Sequence, residues 1–399
     1  MILIILFVSL LVTQGDCEQD YKLQKVLILS RHNVRTPLSK NLAIFTPKSW
    51  PTWKEKSGYL TAKGALLEGY MGEYFKLWLH KEGLLDNSCP DEKAFFVYAN
   101  TAQRTMASAY AFVGKAFPTC DIKIHNASVA KDPIFNPVIH NTSRIFRQEA
   151  MEQMQTLLKS LHLNSSYRDL EEILNYKQSQ ACILERKCDF ISDKNKIFVN
   201  VGFKPNLEGP LKISKSVIDS FIMENYEGLP IKEVAWGELV NTKQWDLVLE
   251  LSKGYHSTIF NTTLIARDLA RPLLKYMRDI LINKHYRTTL LMGHDANIYT
   301  VLKSMDFKPY SLKNQHEMTP AGGKLVFQKW MDIISGEGYV KIDYVYQTTD
   351  EMRQGKSMTL TNPPEFTPLE LKGCKYVNGL CLWDDFVNLL NNLIDVESF

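Results

Sequence analysis

Apolar residues in this chain gather into short unbroken runs that end abruptly in polar residues, most clearly at Val26-Leu-Ile-Leu29, Phe95-Phe-Val-Tyr98 and Leu290-Leu-Met292. Runs this short, without alternation, predict buried strands of the kind that build a parallel sheet. A helical period follows the first: Leu66, Leu67, Tyr70, Met71 and Tyr74 form one stripe between Thr61 and His80, which predicts a helix packed on that sheet. From Ile139 to Lys253 the pattern changes to charged helical segments (149–163, 167–174 and 214–225), with loops around Pro205 and Pro210 and few strand signals. That stretch predicts a helical insertion. Helical spacing returns over 261–281, where Pro272 is placed to kink it. Lys324–Trp330 and Tyr339–Tyr346 are β-rich runs joined across Gly336 and Gly338, which predicts an antiparallel hairpin completing a mostly parallel sheet.

The polar residues at the ends of the runs carry the chemistry. Arg31-His-Asn-Val-Arg-Thr-Pro37 sets two arginines and a histidine on one loop. A guanidinium fork matches two phosphoryl oxygens at once, and two of them offset the charge that repels an incoming nucleophile. An imidazole nitrogen is a good nucleophile at mildly acidic pH, where a serine would need a separate base. Gly293-His-Asp-Ala-Asn297 follows the Leu290 run, and Asn100-Thr-Ala-Gln-Arg104 follows the Phe95 run. Asn100 or Thr101 is placed to cap a helix whose first turn holds Arg104, a third cation near a helix N-terminus that itself favours anions. Open α/β sheets bind ligands at the C-terminal ends of their strands. Ordinary surface arginines and a capping aspartate are the plainer reading of each loop alone, but not of two loops that both carry phosphate chemistry.

The heptapeptide resembles the R-H-G-x-R-x-P signature of the histidine acid phosphatases, with Asn33 in place of glycine as in the bacterial glucose-1-phosphatases. His294-Asp295 is similar to the second half of that signature, Arg104-Thr-x-x-Ser-Ala109 to a second recurrent pattern, and Leu60-Thr-x-x-Gly64 to a third. Segments 49–51, 132–137, 226–228, 234–238, 306–310 and 322–328 also look like glucose-1-phosphatase segments, so the resemblance covers nearly the whole mature chain. It implies the histidine phosphatase fold: an α/β domain over 18–138 and 254–399, a mostly parallel sheet with helices on both faces, and an inserted α-helical cap over 139–253. It also implies hydrolysis of small phosphomonoesters, such as glucose 1-phosphate, in two steps. His32 would be the nucleophile and Asp295 the acid and then the base, with Arg31, Arg35, Arg104 and His294 holding the phosphate. Glu208, in Leu207-Glu-Gly-Pro210, is placed where a glucose-1-phosphatase carboxylate narrows the pocket, a solvated loop glutamate being the plainer reading. No metal and no cofactor is implied. His80, His125, His140, His162, His256, His285 and His316 have no comparable context and read as surface or satisfied core residues. A phytase-like enzyme is the alternative, though it would want basic side chains where this chain has Leu38, and a catalytically silent binding protein on the same scaffold comes last.

Composition narrows the setting. With 399 residues and 45% hydrophobic content, the chain suits one domain with a sizeable insertion. A net charge of +3 without a Lys/Arg run leaves no nucleic-acid or membrane-surface footprint. Ile2 to Val12 and the following Thr13-Gln-Gly-Asp-Cys17 have the length and small-residue ending of a signal peptide over 1–17, although the basic start is missing and a core strand is the alternative. Cys17 lacks the preceding small residue of a lipoprotein site, and no later apolar stretch reaches a membrane span of about 18 residues. The expectation is a secreted monomer or homodimer, periplasmic if the source is bacterial. Losing Cys17 leaves six cysteines, whose spacing favours Cys89 with Cys120, Cys182 with Cys188, and Cys374 with Cys381 among the 15 possible pairings. Asn126, Asn141, Asn164 and Asn261 are glycosylation sequons, about as many as chance would place in a chain this rich in asparagine.

Overall fold

The computed structural model describes residues 21–129, 131–186 and 188–395, so the expected signal peptide lies outside the described residues. The chain opens with β1 (Tyr21–Arg31), α1 (Ala62–Lys81), β2 (Phe95–Ala99), α2 (Gln103–Ala116) and the short β3 (Ile124–His125). A helical stretch follows: α3 (Arg144–Ser160), α4 (Asn164–Leu174), α5 (Gln180–Glu185), the hairpin β4 (Lys196–Phe198) and β5 (Asn206–Glu208), α6 (Pro210–Glu227) and α7 (Thr242–Phe260). The chain then returns through α8 (Thr263–Arg278), β6 (Thr288–Gly293), α9 (Asp295–Ser304), β7 (Lys324–Asp332) and β8 (Gly338–Tyr346). It closes with α10 (Thr349–Gln354), β9 (Glu365–Pro368), β10 (Tyr376–Val377), β11 (Leu380–Leu382) and α11 (Trp383–Asp395).

The main sheet has the order β10-β11-β8-β7-β1-β6-β2-β3, with β9 against β8. Strands β1, β6, β2 and β3 run parallel, and from β7 outward the pairing is antiparallel, the β7–β8 hairpin among it. The sheet is therefore parallel where the candidate loops emerge. Its central strands are covered on both faces, which is why they read as continuous apolar runs. Val26 and Ile28 of β1 join Met71 and Phe75 of α1 and Phe112 of α2 on one side, while Leu27 and Leu29 join Leu273 of α8, Val301 of α9 and Phe386 of α11 on the other.

Helices α3, α4, α6 and α7 share a third apolar cluster through Phe146, Leu170, Phe221 and Val248. Val34 of the first candidate loop and Ala296 and Tyr299 of α9 belong to the same cluster, so the helical layer packs directly on the loops. The expected boundary at 253 falls inside α7, which continues to Phe260. The β4–β5 pair had no sequence signal. Helix α6 begins at Pro210, four residues before the periodic stretch, because proline suits the first helical position. Pro272 lies inside α8 without ending it. The expected disulfides Cys89–Cys120, Cys182–Cys188 and Cys374–Cys381 are all formed. Among the sequons, Asn126 and Asn164 are exposed and Asn141 and Asn261 half-buried. No helix among the described residues is long and apolar enough to cross a membrane.

One carboxyl group matters to the helical layer. Glu224 of α6 is 1% exposed, and its Oε2 accepts the amide of Ala235 at 3.0 Å while Oε1 has no partner among the described residues. Ala235 and Trp236 both adopt left-handed backbone, at φ 46° and 56°, and that turn sets Trp236 against Trp50 and Phe221. Burial pushes the Glu224 carboxyl up to about 8. The folded state then keeps a proton that the unfolded chain releases near 4.5, so this group favours folding fully below about pH 4.5 and loses its effect as pH rises towards 8. Each pH unit in that window costs up to about 1.4 kcal/mol. Glu224→Gln should therefore flatten the fall in stability between about pH 5 and 8. Denaturant unfolding at several pH values is the check, and parallel curves for the two proteins would contradict it.

Candidate active site

Strand register builds the site. Arg31 at the end of β1 is level with Gly293 at the end of β6, and the His32 amide donates to the Gly293 carbonyl at 3.0 Å. The residues that follow, His32 and His294, consequently stand side by side with ring centroids 5.5 Å apart. Strand β2 lies on the other side of β6, and the Asn100 amide donates to the Met292 carbonyl at 3.0 Å, which brings Arg104 of α2 into the same place. The cap of α2 is Ala102, not Asn100 or Thr101 as the sequence suggested. Asn100 is drawn away by its neighbours: its Oδ1 accepts the Ala102 amide at 3.1 Å and lies 2.9 Å from Nε2 of His294.

His32 is 3% exposed, with Nδ1 2.8 Å from the Asn33 carbonyl oxygen. A carbonyl only accepts, so Nδ1 carries the proton and Nε2 keeps its lone pair. Burial, followed by Arg104, His294, Arg31 and Arg35, holds the His32 pKa well below the usual imidazole range. His32 thus stays neutral in acid. His294 is lowered to about 3 by burial and Arg104, and its Nδ1 lies 3.4 Å from an Arg104 Nη.

The loop arginines are buried with acidic partners. Arg35 makes two parallel bonds to Asp219 of α6, at 2.8 and 2.9 Å, and Arg31 meets Glu317 at 2.9 Å and the Thr319 carbonyl. Burial opposes the charge on Arg31, but Glu317 and Asp295 outweigh it and raise its pKa. Burial alone would also raise Asp219, yet Arg35, Lys215 and Arg31 together hold it far below the ordinary carboxylate range. Arg104 pairs with no carboxylate among the described residues, and burial with Arg35 nearby lowers it to about 10. Nε of all three arginines is buried and finds no acceptor among the described residues. Buried donors of this kind are costly unless a ligand takes them, and an oxyanion would.

Asn33, the departure from the glycine signature, has a built environment. Its Nδ2 donates to Oε2 of Glu68 at 2.9 Å, its Oδ1 accepts the Val34 amide at 2.9 Å, and its own amide donates to Oγ of Ser108 at 3.1 Å. Oε1 of Glu68 pairs with Nζ of Lys324 at 2.7 Å, both side chains being 0% exposed, and Nζ also donates to Ser30 Oγ at 2.8 Å and the Gly322 carbonyl at 3.0 Å. Gly322 has φ +70°, and a Cβ there would lie 2.3 Å from Nδ2 of Asn33. The Leu60-Thr-x-x-Gly64 pattern serves the same loop. Thr61 caps α1 by accepting the Gly64 amide at 2.9 Å, and a Cβ on Gly64 would lie 2.1 Å from the Val34 carbonyl oxygen.

Asp295 opens α9 with Oδ1 on the Ala296 amide at 2.8 Å. Burial raises it, but Arg31, His256 when it carries the proton itself, Lys215 and Lys204 prevail and hold it well below the usual carboxylate range. His256, which reads from the sequence as a plain core histidine, lies with Nε2 3.8 Å from Oδ2 of Asp295. Glu208 is corrected in the other direction. It is exposed on β5, opposite Lys196 of β4, accepts from Asn206 at 3.4 Å, and no hydrogen bond or ion pair among the described residues joins it to the site. The carboxylates that do join the site are Asp219 and Glu317, neither of which sits in a local motif. Lys215 announces itself only as a helical neighbour of Asp219, 3.5 Å away.

The chain belongs to the histidine phosphatase superfamily, branch 2, whose sequence profile matches residues 22–345, and it is a phosphatase. It is 42% identical over 383 residues to the glucose-1-phosphatase of Salmonella typhimurium, across 94% of this chain and 93% of that one. A phytase of Escherichia coli is 28% identical over 408 residues, with 94% and 93% covered. Among solved structures, the apo phytase of Hafnia alvei superimposes with a TM-score of 0.86 at 28% identity, covering 94% of this chain and 97% of that chain.

The buried pair beneath Asn33 yields a stability test. Lys324→Met leaves the Glu68 carboxylate in a dry site with the Asn33 amide, at an expected cost of about 3–5 kcal/mol. Adding Glu68→Leu removes the stranded charge and should recover most of that loss. Denaturant unfolding of the single and double variants decides it, and equal losses would mean that the ion pair is not the source.

Proposed function

We propose that the protein is a secreted histidine acid phosphatase that hydrolyses small phosphomonoesters, sugar phosphates such as glucose 1-phosphate among them, through a phosphohistidine on His32. The observation that carries this reading is the neutral His32 with its Nε2 lone pair free, set among three guanidinium groups whose Nε donors lack acceptors. In the first step Nε2 bonds to phosphorus as the ester oxygen leaves with a proton from Asp295. In the second a water oxygen bonds to phosphorus, the N–P bond breaks, and Asp295 takes the proton from the water. Positioning and charge supply most of the catalysis. Arg31, Arg35, Arg104, Lys204 and Lys215 face Asp219, Glu317 and Asp295, and that excess of two positive charges is matched by one phosphate dianion. The dianion counters the cations that strip Asp295 of its proton, so the acid form is favoured in the loaded site and at low pH.

A cleft of about 300 Å³ borders the first loop at Thr36 and Pro37 and is lined further out by Trp50, Trp53 and Ser220. Secretion is supported by the formed disulfides and the apolar N-terminal segment, and the exposed sequons Asn126 and Asn164 are the first candidates for glycosylation.

Assays between about pH 4 and 7 against glucose 1-phosphate, phytate and an aryl phosphate address the substrate class. A preference for phytate would favour the inositol phosphate reading, and no turnover of any would leave a binding protein. His32→Ala should abolish turnover while the protein stays folded, and acid quench of the unmodified enzyme should trap phosphate on histidine. Label on a serine or acidic residue would overturn the mechanism. Asp295→Asn should lose about 10²- to 10⁴-fold on a sugar phosphate and much less in phosphorylation by an aryl phosphate, whose phenolate departs without a proton. Rapid-quench kinetics on both substrates is the check, and equal slowing would reduce Asp295 to an orienting role.

A further inference from the structure

His256 is a buried titratable group beside the reacting carboxylate, and the two steps above give it no task. Its Nδ1 lies 2.9 Å from the Ser252 carbonyl oxygen, so Nδ1 carries the proton and Nε2 is an acceptor. Tyr299 stacks on the ring at 5.0 Å and 13°, Phe260 lies at 6.3 Å and 17°, and Tyr255 meets its edge at 5.5 Å, so the ring is held in this orientation. On Asp295, Oδ1 is engaged by the Ala296 amide, which leaves Oδ2 for protons, and Oδ2 is the atom 3.8 Å from Nε2 of His256.

We propose that His256 is the proton-holding partner of Asp295: a single proton shared between Nε2 and Oδ2 is the one delivered to the leaving oxygen. The inference rests on the reading of Asp295 as the acid. As the bond from His32 to phosphorus forms and the ester P–O bond breaks, the proton passes from Oδ2 to the departing oxygen, leaving Asp295 ionised and His256 neutral. As water replaces His32 on phosphorus, the water's proton returns to Oδ2 and is again shared. One proton leaves with the alcohol and one comes back from water.

The need for a partner is electrostatic. Lys215 from α6, Lys204 from the loop after β4, Arg31 from β1 and Arg104 from α2 face the two side chains, against Glu317 before β7 and the uncharged phenols of Tyr255 and Tyr299. Cations dominate, and a lone carboxylate among them releases its proton early. Two bases in reach of one proton hold it to a higher pH than either does alone. At 3.8 Å the pair is just beyond hydrogen-bond length, so a small swing of the Asp295 side chain closes it.

His256→Phe keeps the stacked ring and removes both nitrogens. For an alkyl phosphate, the alkaline limb of the kcat profile should move acidward by about half a pH unit or more, and kcat near pH 6 should fall about tenfold or more with KM little changed. Phosphorylation by an aryl phosphate should change less than about threefold. His256→Gln, which fills the site but holds no proton, should behave the same way, and it carries the test if the phenylalanine variant does not fold. An unmoved limb, equal slowing of both substrates, or a rise in KM alone overturns the inference, the last by making His256 a substrate contact. Asp295→Asn run in parallel separates the two readings. An alkyl-specific loss there without one in the His256 variants sinks the shared proton alone, and its absence in both sets takes the acid assignment with it.

Discussion

Three guanidinium groups converge in one largely buried pocket, and their mutual repulsion has to be met by the protein before any substrate arrives. Asp219 and Glu317 meet part of it, the first through a bidentate pair with Arg35 and the second through Arg31. Arg104 pairs with no carboxylate among the described residues, and burial first, then Arg35, lowers its pKa to about 10. The origin of the partners matters as much as their charge. Asp219 is carried by α6 of the helical layer, and the loop arginines by the sheet, so the helical layer is electrostatically part of the candidate site and not merely a cover over it. Breaking a buried pair of this kind strands a charge, which is far more costly than the pair is worth. That asymmetry ties the packing of the helical layer to the integrity of the loop.

The same field sets the protonation of the other groups in the pocket. His32, His294 and His256 are all pushed down, by burial first and then by cations, so the pocket contains neutral imidazoles at a pH where free histidine is charged. A neutral ring is what the role proposed for His32 requires. Burial first, and then the arginines around it, keep the proton off His32 without a dedicated base.

Much of this was legible in the sequence because it is written locally. The continuous apolar runs ending at Arg31, Ala99 and Gly293 mark strands covered on both faces, and the loops at their ends hold His32, Arg104 and Asp295, so the sheet and the principal chemistry follow from neighbours in the chain. The sequence-local cysteine couples are legible for the same reason. Asp219, Glu317, Lys215 and His256 were not, because each enters the site from an element whose local pattern is that of an ordinary helix or loop and gains its role only through tertiary packing. Glu208 shows the opposite failure, since a position matched to a relative's carboxylate lies exposed on the short strand β5. Helix ends moved by a few residues where a cap competes with a tertiary partner, as at Asn100, whose side chain serves His294 while Ala102 takes the capping position.

Asn33 joins these threads. A glycine at that position would leave Glu68 and Lys324 without their link to the loop, and an asparagine without the pair beneath it would bury an amide with no acceptor. The three residues are separated in sequence, yet their bonds form one chain from Ser30 through Lys324 and Glu68 to Asn33, whose carbonyl accepts from His32. The carbonyl that selects the tautomer of His32 is therefore anchored by a buried ion pair between α1 and β7. Substitution of the signature glycine is in this light a rewiring of how the loop is held. It adds a buried charged support to the loop that carries His32, while the signature arginines Arg31 and Arg35 are unchanged.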